Sequence, residues 1–152
     1  EGSYPYVESG LKNVLLMNIP IYKCPDCKNS AVEIPRMNEL HLLIGGLLIL
    51  QPTPLYGDQA CYLRKSLGYS QEELAEKIGV TRVTVARWEI ATKPMKRDHD
   101  KHLRIFYTDK KLKELRPEIM RALAENVPFP PQKRSLRIRK EDWAQHALTV
   151  NG

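Results

Sequence analysis

Residues 70–88 read SQEELAEKIGVTRVTVARW, and this stretch predicts two short helices that meet at a tight turn. The first helix begins at Gln71 under the cap of Ser70, and its apolar residues recur at the spacing of one helical face. Gly79 ends this helix, because glycine takes a left-handed backbone conformation without steric cost. The apolar face consists of Leu74, Ala75 and Ile78.

The second helix is predicted over residues 82–89, with Thr81 as its N-cap. Val85 and Trp88 turn inward from it, and Ala75 is small where the second helix crosses the first. A small residue, a glycine four positions later and an aliphatic residue six positions after that form the pattern of a helix-turn-helix. An ordinary helical hairpin is the alternative, since it has the same packing needs.

The outward face of the second helix favours DNA binding over the plain hairpin. Arg82, Thr84 and Arg87 project outward, and Thr81 stands at the start of the helix. These side chains can hydrogen-bond to bases or phosphates. Lys93 lies in the turn that follows the helix, where we expect it to contact the phosphate backbone.

Composition and charge agree with a polyanionic partner. The 152 residues allow one domain or two small ones, and 24 basic against 18 acidic side chains give a net charge of +6. The excess is uneven, because residues 1–50 carry four basic and five acidic side chains and residues 51–110 carry eleven and eight. The positive charge therefore accompanies the predicted helix-turn-helix and the residues after it.

Cys24 and Cys27 form a Cys-Pro-Asp-Cys motif, which predicts a zinc knuckle in a reducing compartment. Both sulfurs of such a turn can reach one tetrahedral zinc ion, but structural zinc takes four ligands. The remaining ligands are open: His41, Cys61, a second Cys-x-x-Cys before Glu1, or a site shared between two chains. The fifth alternative is a turn with two thiols and no metal. Cys61 itself is expected in the core.

We predict an α+β protein in four parts. Residues 1–36 form a small antiparallel β domain that resembles a zinc ribbon, and residues 37–54 form a connecting helix and linker. Residues 55–125 form an all-α helix-turn-helix domain, and residues 126–152 are a basic, Pro-rich tail. Strands are predicted at 4–8, 14–17, 19–23 and 31–34, and further helices at 37–50, 57–67, 98–110 and 112–124.

The tail carries two further signals. Residues 135–140 alternate apolar and cationic side chains, so they form either a short edge strand or a flexible arm that touches phosphates. Trp143 indicates that the end of the chain docks somewhere. The most apolar run, residues 40–50, is too short to span a bilayer. The sequence shows no secretion signal. We therefore expect a cytoplasmic protein without a membrane partner.

Two stretches resemble a known family. YPYVESGLKNV at 4–14, followed by the Cys-Pro-Asp-Cys motif, Ile-Pro at 34–35 and Leu-His at 40–41, resembles the zinc-finger half of MqsA/YgiT-type regulators. LRKSLGYSQEELA at 63–75, followed by Val-Ala-Arg-Trp-Glu, resembles the Xre-type helix-turn-helix of the same proteins. This resemblance implies an Xre/lambda-repressor-like fold for residues 55–125. The resemblance covers about residues 4–107.

The resemblance implies a bacterial homodimer that binds palindromic double-stranded DNA and represses transcription. Some members are antitoxins that bind a ribonuclease toxin through the N-terminal domain. By the family pattern Gln71 touches phosphate, and Arg64 pairs with Glu89 inside the domain. The residues placed toward the major groove are Arg82, Val83, Thr84 and Arg87.

We therefore expect a DNA-binding transcriptional repressor, with an antitoxin as the alternative. An enzyme is not expected, because the sequence shows no nucleophile–base pair, phosphate loop or carboxylate dyad. The run Asp98-His99-Asp100, with His102 nearby, is interpreted as solvated or capping residues at a helix start.

Overall fold

The computed structural model describes residues 2–111, 113 and 136–144. These residues form two compact units, and the boundary between them falls within one helix, between Leu40 and His41. The first unit contains residues 2–40 and 136–144, and the second contains residues 41–111 and 113. The α+β class is confirmed, with a small β region followed by a helical region.

The first unit is built on five short strands, with one short helix at its end. In the three-stranded sheet β2 is central, with β1 antiparallel on one side and β5 parallel on the other. β3 and β4 form a separate antiparallel pair. The elements are β1 Gly2–Pro5, β2 Val14–Ile19, β3 Ile21–Lys23, β4 Ser30–Val32, β5 Leu136–Arg139 and α6 Lys140–Ala144, with a 3₁₀ turn at Val7–Ser9.

The strand β5 resolves the open alternative for residues 135–140 in favour of an edge strand. It pairs with β2 from Val14 opposite Leu136 to Met17 opposite Arg139. The alternation places Ile138 on the inner side, where it is 2% exposed. The parallel pairing was not predicted from the sequence, because the two strands lie more than 100 residues apart and share no local pattern.

Trp143 docks, as expected, and the structure shows where. Its side chain is 2% exposed, and its indole Nε1 donates a hydrogen bond to the carbonyl of Pro35 at 2.8 Å. A buried indole N–H needs such a partner. The described end of the chain is therefore an integral part of the first unit, and it packs beside β2.

The second unit consists of helices, the first of which begins four residues before the unit does, and the helix limits lie within two residues of the predicted ones. The helices are α1 Met37–Leu50, α2 Gly57–Ser66, α3 Gln71–Ile78, α4 Arg82–Ile90 and α5 Arg97–Lys110. The predicted apolar face of α1 is buried, and its members are Leu40, Ile44, Leu47 and Leu48. The helix predicted at 112–124 lies outside the described residues.

Gly45 has a packing role within α1. A Cβ atom at this position would overlap the ring of Tyr107, which is fully buried. The absence of a side chain at Gly45 thus admits the phenol, whose hydroxyl lies 3.1 Å from the hydroxyl of Ser66. The glycine that weakens the helix by propensity therefore allows α5 to pack closely.

Arg104 ties α5 to the end of α1 and to the linker that follows. Its Nη1 donates to the carbonyls of Ile49 and Gln51 at 2.7 and 2.8 Å, and its Nη2 donates to that of Thr53 at 2.6 Å. The guanidinium thus satisfies carbonyls at a helix end that lack intrahelical partners. Asp100 holds Arg104 through its Nε at 3.1 Å.

The interpretation of Asp100 and His99 as solvated or capping residues was wrong. The Asp100 carboxylate, besides binding Arg104, accepts a hydrogen bond from the backbone N–H of Leu55 at 2.9 Å. The ring of His99 lies 4.7 Å from that of Trp88. Both residues therefore help to fix α5 in the fold. Within the described part of the chain, no helix is long and apolar enough to cross a membrane.

Candidate nucleic-acid interface

The turn between α3 and α4 has the predicted geometry. Ser70 accepts a hydrogen bond from the backbone N–H of Glu73 at 3.1 Å, and its own N–H donates to the Glu73 carboxylate at 2.7 Å. This reciprocal pair is a capping box, which fixes the start of α3. Gly79 has φ 73°, and the N–H of Val80 donates to the carbonyl of Ala75 at 2.9 Å. The chain therefore reverses sharply before α4.

Helix α4 begins under the predicted cap. Thr81 Oγ1 accepts a hydrogen bond from the backbone N–H of Thr84 at 3.2 Å, and the two hydroxyls lie 2.9 Å apart. Val85 is fully buried on the inner face of the helix. At the end of α4, the backbone carbonyl of Trp88 lies close to Gly57, the first residue of α2, and a Cβ atom on Gly57 would overlap it. The start of α2 and the end of α4 are therefore in close backbone contact.

The predicted pair between Arg64 and Glu89 is confirmed. Nε and Nη2 of Arg64 contact the two carboxylate oxygens at 2.5 and 3.0 Å, and Nη1 donates to the carbonyl of Tyr69 at 2.7 Å. The two side chains are only 11% and 8% exposed. The bidentate geometry joins the end of α4 to α2.

A third residue completes this network. The amide Nε2 of Gln71 donates to Glu89 at 2.8 Å, so this side chain is engaged within the domain. Burial raises the pKa of Glu89, but the hydrogen bonds from Arg64 and Gln71 outweigh it and hold the pKa below its ordinary value. The phosphate contact of Gln71 stays a prediction.

The outward face of α4 is open. Val83 is 54% exposed, and Arg82 and Arg87 are also exposed. Neither arginine makes a hydrogen bond or an ion pair with a residue that the structure describes. Thr84 is half-buried, and Lys93 is exposed in the segment after the helix. The structure thus places these side chains along one helix and the turn that follows it.

Ile90 also belongs to this face, although it was not predicted from the sequence. Ile90 is 82% exposed at the end of α4 and follows Val83 and Arg87 at positions i+7 and i+3. Residues at these spacings share one side of a helix. The helical period predicts Ile90 on this face when the helix is extended by one residue beyond Glu89.

The cysteine knuckle belongs to the first unit. The Cys24 backbone N–H donates to the carbonyl of Asn29 at 2.8 Å, and the N–H of Lys28, at φ 59°, donates to the carbonyl of Cys24 at 3.1 Å. Backbone and thiol hydrogen bonds from Cys27, with a backbone bond from Asp26, hold the pKa of the Cys24 thiol below its ordinary value.

This donor set fits half of a zinc site. A stabilised thiolate beside a second thiol suits zinc, since the metal binds the deprotonated sulfur. Among the described residues, no group of three or more His, Cys, Asp or Glu side chains is placed to hold a metal ion. The expectation that Cys61 is a core residue was wrong, because it is half-buried and its sulfur lies 3.7 Å from Nη2 of Arg64.

Comparison with known proteins gives one match. Residues 62–95 match the model of a protein family described as "Helix-turn-helix". The search of curated proteins and the search of solved structures found no significant match. The matched segment runs from within α2 to just beyond α4, and it contains every residue that sequence analysis assigned to DNA contact. The chain is therefore a DNA-binding transcriptional regulator with an Xre-like helix-turn-helix.

Proposed function

We propose that the protein is a transcriptional repressor that binds a palindromic operator as a homodimer, with α4 in the major groove. The outward face of α4 carries this proposal. Arg82 and Arg87 are exposed and unengaged by any described residue, while Val85 is buried and Glu89 binds Arg64, so these two residues hold α4 in the domain. A rigid helix with an uncommitted cationic face is suited to reading DNA.

The side chains divide into two roles. Arg82, Val83, Thr84 and Arg87 face the base edges, as the family resemblance implies. Lys93, in the segment after α4, contacts phosphate and sets the position of the helix on the duplex. The Thr84 hydroxyl is held near the start of α4, because it lies 2.9 Å from the hydroxyl of the cap residue Thr81. Base contacts then supply specificity and phosphate contacts supply salt-dependent affinity.

The short length of α4 supports a dimer on two half-sites. Nine residues span about 13 Å, which is enough to read only a few base pairs. A second copy on a half-site about one helical turn away, roughly 34 Å, multiplies the specificity. Repression follows if the occupied operator overlaps a promoter, and such a protein acts in the cytoplasm of a bacterial cell.

The proposal gives zinc a structural place in the first unit. Cys24 and Cys27 would supply two thiolate ligands beside the β3–β4 pair, and the metal would fix that turn. The metal content of the purified protein, measured for the native chain and for Cys24→Ser, tests this role. Zinc retained at the same stoichiometry in Cys24→Ser would count against it.

The test of the DNA-binding role is selection from a random duplex library, followed by anisotropy titrations at two salt concentrations. Arg87→Ala is expected to weaken binding to the selected site about 5- to 150-fold if the side chain contacts a guanine. Arg137→Ala is the matched control, because it removes the same charge from an exposed strand position in the first unit. Equal losses for the two variants would reduce the role of Arg87 to net charge.

The same titrations separate the repressor from its alternative. Equal, weak and salt-sensitive binding to all DNA would mean that charge alone is read, and the antitoxin hypothesis, with a protein toxin bound by the first unit, would take its place. Sedimentation equilibrium on the free chain and on the complex gives the number of copies, and a single copy on the selected site would contradict the homodimer.

A further inference from the structure

The chemistry of the outward face limits which bases α4 can read. We propose that each half-site presents a guanine to Arg87 and a thymine methyl group to Val83, within about two base-pair steps of each other. This inference rests on the proposed function, since it names the bases that the same helix reads. It follows from which side chains are available on α4 and which are already engaged.

Arg87 and Val83 lie on the same side of the helix, four residues apart. Their Cα positions are therefore about 6 Å apart along the helix axis, since each residue rises about 1.5 Å. Successive base pairs are about 3.4 Å apart. Two side chains at this spacing reach adjacent base pairs or pairs two steps apart when the helix follows the groove.

Direct readout of adenine needs an asparagine or glutamine amide, and these amides are engaged. The described residues of the second unit include three such side chains: Gln51, Gln59 and Gln71. Gln51 bonds to the carbonyls of Thr53 and Pro54 and to Gln59. The Gln59 oxygen accepts from the N–H of Tyr56 and the Gln71 amide donates to Glu89. None of the three lies on α4, so this helix itself offers no amide beside Arg87.

Cytosine readout by a carboxylate is excluded on α4 by the same reasoning. Glu89 is the one acidic residue of this helix, and both of its oxygens are bound by Arg64. The Thr84 hydroxyl lies 2.9 Å from that of Thr81 and can bond to more than one base, so it does not select one. The remaining groups that can select a base are guanidinium and methyl. A guanidinium matches O6 and N7 of guanine in a bidentate contact, and an aliphatic side chain matches the C5-methyl of thymine.

Val83, like Ile90 at the far end of α4, is a feature that a general affinity for phosphate does not explain, and Val83 lies at the start of the helix, where base contacts are made. It is 54% exposed at the start of a helix whose neighbouring positions are polar, and an apolar side chain adds nothing to phosphate binding. Covering its methyl groups with a thymine methyl removes apolar surface from both partners. Loss of one buried methyl group corresponds to about fourfold in affinity.

The experiment uses the full chain and the duplex selected from the random library. Each thymine of the half-site is replaced in turn by deoxyuridine, which removes only the C5-methyl, and each guanine by 7-deazaguanine, which removes the N7 acceptor. Native protein, Val83→Ala and Arg87→Ala are titrated against each duplex. Val7→Ala is the matched control, because Val7 is a 66% exposed valine in the first unit.

One thymine is expected at which deoxyuridine weakens native binding about fourfold, with no further loss in Val83→Ala. The Val7→Ala control keeps the full deoxyuridine effect. One guanine within two steps of that thymine is expected at which 7-deazaguanine costs about fivefold or more in the native protein and little in Arg87→Ala.

The outcomes separate this inference from the proposed function. A selected site at which every deoxyuridine is neutral, or at which its effect persists in Val83→Ala, would overturn the inference and leave sequence-specific binding intact. A guanine effect that persists in Arg87→Ala would do the same. If the library yields no preferred sequence, both the inference and the proposed function fall.

Discussion

Replacing Arg64 with methionine tests how α4 is held in the domain. The change keeps much of the side-chain volume and removes the guanidinium that contacts Glu89 and the carbonyl of Tyr69. Helix α4 would then lose its bidentate link to α2, while the exposed face of the helix would be chemically unchanged. The expected result is a large loss of stability of the second unit.

The magnitude follows from the burial of the pair. Exposed ion pairs contribute about 0–1 kcal/mol, whereas removing one partner of a buried pair costs about 3–5 kcal/mol. The Arg64 and Glu89 side chains are 11% and 8% exposed, so the pair is largely buried and its loss is expected to approach the cost of the buried case. The variant also leaves the Glu89 carboxylate with only Gln71 and the Cys61 thiol as described side-chain partners. We expect Arg64→Met to lower the free energy of unfolding by about 3–5 kcal/mol.

Urea denaturation followed by circular dichroism at 222 nm measures this change, because the helices α2–α5 lie in the second unit. Arg82→Met is the matched control. Arg82 is exposed and has no hydrogen bond or ion pair within the described residues, so its replacement is expected to change the free energy by no more than about 0.5 kcal/mol.

A double variant separates the interaction from the packing. Adding Glu89→Leu to Arg64→Met removes the unpaired carboxylate, and replacing both members of a buried pair by apolar groups is often close to neutral. The double variant is therefore expected to be more stable than Arg64→Met alone. A cost below about 1 kcal/mol for Arg64→Met, or additive losses in the double variant, would refute the buried-pair argument.

Three further changes give expected outcomes. Gly57→Ala is expected to lower the free energy of unfolding of the second unit by about 1–3 kcal/mol in urea denaturation, because the new Cβ meets the backbone carbonyl of Trp88. Alanine has the better helix propensity, so unchanged or higher stability would contradict this close contact. The pKa of Glu89 is lower in the folded protein than its ordinary value of 4.5, so the ionised carboxylate stabilises the fold above pH 4.5, and this stabilisation is lost as the pH falls through the folded pKa. The difference in free energy of unfolding between native protein and Glu89→Gln should therefore narrow from pH 6 to pH 3. A difference that stays constant with pH would contradict the lowered pKa. Trp143→Phe is expected to lower the stability of the first unit by about 0.5–1.5 kcal/mol, because the hydrogen bond to the Pro35 carbonyl is lost. Hydrogen exchange of the β2 amides measures this change, and protection equal to that of the native protein would show that the bond does not stabilise the unit.

The sequence by itself determined the local geometry of the DNA-binding element. Ser70, Gly79 and Thr81 set helix ends through their own backbone preferences and nearby hydrogen bonds, so their roles were predictable from spacing. The inner and outer faces of α4 followed from the helical period, apart from Ile90. The Arg64–Glu89 pair was expected through a resemblance to a known family, and the structure supplied its geometry.

The tertiary structure decided the contacts between residues distant in sequence. Nothing in the local pattern of residues 136–139 names β2 as their partner, because a strand pattern gives the face of each side chain but not the neighbouring strand. The contacts of Arg104 with the carbonyls that follow α1 span more than 50 residues. Helix caps and periodic faces depend on residues a few positions apart, whereas strand pairing and such long-range contacts depend on which surfaces fold together.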